Sequence, residues 1–401
     1  MNRKPTANRL LGIFFLLQCF TIAAQDKRTQ YPAGLKNAYF GVNIGSINYP
    51  FSAAQLEPGF TVDAVSVPHT AVRIVLYGCP INKYLSARIT YMRPVNWVQY
   101  KNVKGDRQTH SVWMNIAGLT LEGHLPVGKK VSVTAEAGLG VITRNGFEIN
   151  GIPVVKNANY GTGLFGGAIQ YHLNKKWDLQ ISTAWSPEHK KTKQPPTLFI
   201  AGGFNYNLRP LSKEKTERNA ASGYHFPKQF ILAGHTTHAL GYGVNNALSK
   251  GPVPVFWGGD AHIKQGFSIS YQRNIFHARK VFAMDWAVHT GIWKSRDQKE
   301  NLFTVSLNPV FRFNAIRTKT TDIFFEYSVA GPTYIYKTNV DNVPLGRKFT
   351  FHDFMGIGVF TGKNKKLHAG IRIAHYSNGN IFPENDGVKI PLTFNLGYVL
   401  N

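Results

Sequence analysis

Apolar and polar residues alternate with a period of two over most of this chain. In 131–140, VSVTAEAGLG, residues Val131, Val133, Ala135, Ala137 and Leu139 fall on one face, with Ser132, Thr134 and Glu136 on the other. Segment 177–185, WDLQISTAW, repeats the pattern: Trp177, Leu179, Ile181 and Thr183 oppose Asp178, Gln180 and Ser182. Successive strand side chains point to opposite faces, so this is the signature of strands with one apolar and one polar side. The pattern predicts eight strands in the first half, near 37–47, 67–78, 83–92, 110–125, 129–141, 160–173, 175–186 and 196–208. It predicts eight more in the second, near 228–248, 260–275, 280–293, 301–314, 321–331, 349–361, 365–377 and 389–400.

The connections alternate as well. Links after even-numbered strands are short, at Pro80–Lys83, Pro126–Lys129, Asn174–Lys176, Phe276–Lys280, Ala315–Thr320 and Gly362–Lys365. Links after odd-numbered strands are mostly long: 48–66, 93–109, 142–159, 332–348 and 378–388. Short turns on one side and long loops on the other are the asymmetry of outer-membrane β-barrels, and eight is their smallest usual strand number. Residues 209–224, RPLSKEKTERNAASGY, are polar, charged and without an apolar stripe, as a linker is. The expected fold is therefore all-β, two tandem eight-stranded antiparallel transmembrane barrels at 25–208 and 225–401, joined by a periplasmic linker at 209–224. A single sixteen-stranded barrel is the alternative.

The N-terminus agrees with export. Arg3, Lys4 and Arg9 precede the apolar run LLGIFFLL, and Ala23 and Ala24 follow, which predicts a signal peptide over 1–24. That run is far shorter than the ~20 residues that span a bilayer. A lipoprotein site at Cys19 fits poorly between Gln18 and Phe20. Cleavage leaves Cys79 alone, which excludes an internal disulfide. The formal charge of +25 points, in an exported protein, to anionic lipid surfaces and not to nucleic acid. Trp97, Tyr100, Trp113, Trp177, Trp185, Trp257, Trp286 and Trp293 lie near strand ends or alternate along strands, where interfacial girdles place aromatics.

One constellation carries chemistry. In 367–380, LHAGIRIAHYSNGN, residues Leu367, Ala369, Ile371, Ile373, His375 and Ser377 share a face, and His368, Gly370, Arg372 and Ala374 take the other. The apolar set should meet lipid, with His375 and Ser377 at its outer end. Same-face strand neighbours lie ~6.5–7 Å apart, so an imidazole can reach the serine hydroxyl and activate it for acyl transfer. The strand runs outward, which places the pair at the extracellular leaflet, lipopolysaccharide in a Gram-negative cell. A polar pair at an interfacial rim is also cheap, so His-x-Ser alone leaves both readings open. No Gly-x-Ser-x-Gly, phosphate-binding loop or zinc spacing is present, and no cofactor or metal is expected.

The segment HYSNGNIFPENDG at 375–387 resembles the His-x-Ser-Asn motif and following Asn-Asp-Gly of the lipid A 3-O-deacylase (PagL-type) family. EYSVAGPTYI at 326–335 and FMGIGVF at 354–360 are also similar, so the resemblance covers roughly 225–401. It implies an eight-stranded barrel with an ester-hydrolysing site on its outer wall. Ser377 would be the nucleophile, His375 the general base, and Asn378, or backbone N–H groups beside it, an oxyanion donor. The family's glutamate after Asn-Asp-Gly is replaced here by Lys389, so Glu384 or Asp386 would have to supply the acidic member. The implied partner is lipid A within the membrane, with Lys337, Arg347 and Lys348 placed to meet its phosphates and Lys365, Lys366, Lys175, Lys176, Lys129 and Lys130 in periplasmic turns. The alternative function is a structural or binding barrel that keeps the deacylase scaffold without its chemistry.

Overall fold

The computed structural model describes residues 28–249 and 258–400. The expected signal peptide at 1–24, Cys19 and Trp257 lie outside the described residues. In the first half the strands are β1 Tyr39–Asn48, β2 Val62–Ser66, β3 Thr70–Pro80, β4 Leu85–Pro94, β5 Val98–Val103 and β6 Asp106–Pro126. They continue with β7 Val131–Asn145, β8 Phe147–Ile149, β9 Ile152–Val155, β10 Ala158–His172, β11 Trp177–Ser186 and β12 Thr197–Asn207. The second half has β13 Gln229–Thr237, β14 Ala261–His277, β15 Phe282–Ser295, β16 Asn301–Arg317 and β17 Asp322–Ile335. It ends with β18 Asn339–Val340, β19 Val343–Pro344, β20 Phe349–Thr361, β21 Leu367–Ser377 and β22 Val388–Val399.

Two closed barrels result. The first runs β6-β4-β3-β1-β12-β11-β10-β7 and closes by pairing β7 with β6. The second runs β13-β14-β15-β16-β17-β20-β21-β22 and closes by pairing β22 with β13. Because β12 returns to β1, the chain cannot form one sixteen-stranded barrel. All sixteen expected strands are present to within a few residues at most ends. The clearest departure is the segment expected at 228–248: β13 stops at Thr237, and a helix, Gly243–Ser249, follows the left-handed turn at Gly241. The long loops also carry structure of their own. β2 and β5 extend the sheet from the upper part of β6, while β8–β9 and β18–β19 are small hairpins. The linker contains a helix, Lys213–Ala220, whose Ser212 side chain accepts from the Lys215 N–H as an N-cap.

The alternation sorts as the pattern requires. Leu139 and Ile181 are 68% exposed on the outside, while Glu136 and Gln180 point into the lumen and are buried. Charges inside need partners, and most find a carboxylate, while Arg144 donates instead to the carbonyls of Lys156 and Thr192. Glu136 accepts from Arg73 (2.6 Å) and Arg88 (2.8 Å), and Arg88 also pairs with Glu122. In the second lumen Arg312 pairs with Asp285 at 2.5 Å, and Arg372 with Glu326. These networks fill the interiors with side chains, as small barrels do. Two expectations change inside the second barrel. Trp293 faces the lumen at 2% exposure, its indole N–H donating to Thr304 Oγ1, so it belongs to no girdle. Lys365 is no solvated turn residue: it is buried, with Nζ 2.6 Å from Asp322 Oδ1, closing the periplasmic mouth beside Arg317. Trp177 and Trp185 are exposed at opposite ends of β11, as interfacial aromatics are. The apolar outer walls place the barrels in the outer membrane of a Gram-negative bacterium.

Candidate functional site

β21 carries the His375–Ser377 pair, and its parity follows from the partners inside. His368, Arg372 and Tyr376 point into the lumen, Arg372 onto Glu326 and Tyr376 onto Thr304 at 3.0 Å. Leu367 and Ile371 emerge on the outer wall, 52% and 41% exposed. By the same alternation Ile373, His375 and Ser377 are outward. Yet Ile373 is 5% and His375 1% exposed, so the upper end of this wall is covered where its lower end is open.

The carboxylate facing His375 comes from the neighbouring strand. In the β20–β21 register Asp353 pairs with His375 and Phe351 with Ser377. Asp353 Oδ2 lies 3.5 Å from His375 Nδ1, just beyond hydrogen-bond length and within reach of a small side-chain adjustment. The other oxygen, Oδ1, accepts the backbone N–H of Ala330. That donor is turned outward by a bulge in β17: the register against β20 shifts between Ser328 and Gly331, and Ala330 has φ +53°. Bulges re-aim groups next to active sites, and this one anchors the acid. Sequence reasoning missed Asp353 because the contact crosses strands, and nothing local in 349–361 marks it.

The acid expected from the loop is elsewhere. Glu384 is exposed in a left-handed conformation, φ +62°, and Asp386 is exposed too. The loop instead closes on itself and on β14. Asn385 Oδ1 accepts the Asn378 N–H, Asn385 Nδ2 donates to Asn380 Oδ1 (2.7 Å), and Asp386 O accepts the Asp260 N–H (2.8 Å). Partial desolvation in the loop, with Asp260 and Glu384 nearby, holds the Asp386 carboxyl above its usual value.

Asn378 is fully buried. Its backbone N–H is committed to Asn385, but its side-chain amide has no hydrogen-bond partner among the described residues. On the far side of His375 the β21–β22 register places Lys389. Its ammonium is drawn off to Asn246 Oδ1, 2.8 Å away on the Gly243–Ser249 helix. Of the loop cations, Lys337 pairs with Glu300 at 3.1 Å. Arg347 lies 4.8 Å from the ring centroid of Phe382, within the site loop, and Lys348 lies over Tyr336. A hollow of about 1020 Å³ between Tyr224, Arg317, Lys319 and Lys366 is at the periplasmic mouth, the opposite end from His375.

No curated protein matches the chain. Among solved structures, the outer membrane enzyme PagL is similar at 16% identity, covering 42% of this chain and 98% of its own, with a TM-score of 0.30. The N-terminal barrel domain of Pseudomonas aeruginosa OprF is 11% identical over 43% of this chain and 98% of its own, TM-score 0.29. Neisserial surface protein A is 13% identical over 43% and 97%, also at 0.29. At such TM-scores these likenesses add nothing to what the barrels themselves show. The family model described as lipid A 3-O-deacylase (PagL) matches residues 265–398, from within β14 almost to the end of β22, the part of the chain that carries His375, Ser377 and Asp353.

Proposed function

We propose that the second barrel is a serine esterase that hydrolyses the 3-O-linked acyl chain of lipid A. The observation that carries this reading is the line Asp353–His375–Ser377 on the outer wall, at the extracellular end of a barrel matching that family. With Nδ1 turned to Asp353, His375 Nε2 is the nitrogen that takes the Ser377 proton. The hydroxyl oxygen attacks the ester carbonyl, and the Asn378 amide stabilises the resulting oxyanion. Collapse breaks the C–O bond to the sugar, whose 3-oxygen receives the proton from His375. Water, deprotonated by the same imidazole, then releases the fatty acid from Ser377. Asp353 acts through His375: it fixes the tautomer and offsets the charge of the imidazolium.

One observation favours a barrel without chemistry: a lysine is the register partner of His375 where the family carries a glutamate. Mass spectrometry of lipid A from cells expressing wild type or Ser377→Ala separates the two. Loss of one hydroxyacyl mass with wild type alone is expected. Unchanged lipid A in both, with the barrel folded in the membrane, favours the scaffold reading.

A further inference from the structure

The outer wall of the first barrel carries polar residues where lipid-facing apolar ones belong. On β6 the inward side chains are Val112, Met114, Ile116 and Thr120, all buried, so Asn115 points out, on the same face as Leu119 at 58% exposure. On β7 Ile142 and Arg144 point in, so Thr143 points out with Leu139. Asn159 is the register partner of Thr143 on β10 and shares that face. Polar groups facing hydrocarbon are costly. Nevertheless Asn115 is 2% and Thr143 0% exposed, while the leucines four residues further down are open. Something polar covers the upper end of this wall.

The cover is the loop that follows Ser377. Asn115 Nδ2 donates to the Asn380 carbonyl at 2.8 Å, and Thr143 Oγ1 and Asn159 Nδ2 both donate to the Ile381 carbonyl at 2.7 Å. Asn159 Nδ2 also donates to Thr143 Oγ1, 2.7 Å away, so the three side chains act on the loop as one group. The chain tethers the barrels at the periplasmic end as well. The His277 N–H donates to the Arg28 carbonyl at 2.7 Å, the Arg28 guanidinium reaches Asn274 Oδ1, and Tyr31 packs on Phe276 with ring centroids 5.1 Å apart.

We propose that the first barrel is the docking partner of the site loop: Asn115, Thr143 and Asn159 capture the backbone of Asn380 and Ile381 and hold the segment that Ser377 and Asn378 lead into. They are positioning residues, on a different barrel from the one that carries the pair. That they serve hydrolysis rests on the deacylase reading above; that they dock the loop does not.

The test uses the full chain with Cys79→Ser and a site-specific protease sequence in the 213–220 helix. Thr143→Cys with Ile381→Cys is treated with oxidant or a short bis-maleimide, the linker is cut, and the halves are run on a denaturing gel. The halves should stay joined, and part in the control that replaces Thr143→Cys by Ile44→Cys on the far wall. Halves that part in both sink the docking. In deacylating cells, Asn115→Leu/Thr143→Val/Asn159→Leu should lower the product about tenfold with both barrels folded, while Thr143→Ser leaves it unchanged. Full product from the triple variant would overturn the positioning role. A wild type that leaves lipid A intact removes the deacylase reading alone, since the crosslink reports docking without turnover.

Discussion

Asp353 and His375 are register partners on adjacent strands, their side chains on the outer wall and Oδ2 3.5 Å from Nδ1. The backbone of β20 and β21, and not a loop, sets that spacing. Asp353 is further held by the Ala330 N–H on its other oxygen. The spacing of this pair, unlike that of the residues after Ser377, is therefore set by the strands and not by loop closure.

Asp353→Asn should therefore lower deacylation by about 10²–10⁴, the range expected when a histidine loses its orienting carboxylate. Glu384→Gln, an exposed position on the loop, should change it less than twofold, on the order of a surface substitution. The measurement is the rate of product formation from purified lipid A in detergent, with variants matched for folded barrel. Equal losses in the two variants would show that the loop acid is the functional one.

Lys389 occupies the position across His375 from Asp353, with its ammonium turned to Asn246. Lys389→Glu in the Asp353→Asn background should recover at least tenfold of the lost rate, because it restores a carboxylate to one side of the same imidazole. A merely structural role for Asp353 predicts no such rescue. An Asp353→Asn/Lys389→Glu double variant no faster than Asp353→Asn alone would count against the orienting role.

Much of this fold was legible because a membrane barrel obeys one rule along every strand. Val133 and Leu139 point out and Glu136 points in for the same reason, so period-two alternation with turn spacing yielded the staves. Trp293 broke the aromatic reading: alternation marks a face, but only the closed sheet decides which face is lumen, and there its N–H found Thr304. His375 and Ser377 were legible as an i, i+2 pair. Asp353 was not, since cross-strand register depends on where β20 and β21 both turn. Asn115, Thr143 and Asn159 were invisible as a group for the same reason: they come together only through the β6–β7–β10 register.

The lumen of the first barrel should be sensitive at Glu136, which neutralises Arg73 and Arg88 together and accepts from Thr120 at 2.6 Å. Glu136→Leu leaves buried Arg73 without its carboxylate and Arg88 with Glu122 alone, and removing one partner of a buried pair typically costs ~3–5 kcal/mol. The exposed pair Lys213–Glu217, 3.9 Å apart in the linker helix, gives the contrast: Lys213→Ala should cost no more than ~0.5 kcal/mol. Urea unfolding of the barrels in lipid vesicles measures both. A Glu136→Leu variant that unfolds at the wild-type midpoint would mean that water in the lumen carries the charges.

Asp386 makes the loop's stability depend on pH. Its carboxyl, on an exposed residue, is held above its usual value by partial desolvation first, then by Asp260 and Glu384, so the folded loop binds that proton more tightly than the unfolded chain does. Stability from this group is therefore greatest below the ordinary carboxylate value, ~3.9, and falls as pH rises through the raised one. At pH 7 the ionised Asp386 is a net cost, and Asp386→Asn should stabilise the loop; the Asp260 N–H bond survives, because it uses the Asp386 backbone carbonyl. The advantage of the variant should close as pH is lowered toward 3, where the wild-type acid is neutral as well. Hydrogen exchange at the Asp260 and Asn378 amides, followed from pH 3 to 7, reads this directly once intrinsic rates are divided out. Protection that rises with pH in the wild type, or an Asp386→Asn variant less protected than wild type at pH 7, would reverse the sign and mean that the loop draws on the ionised form.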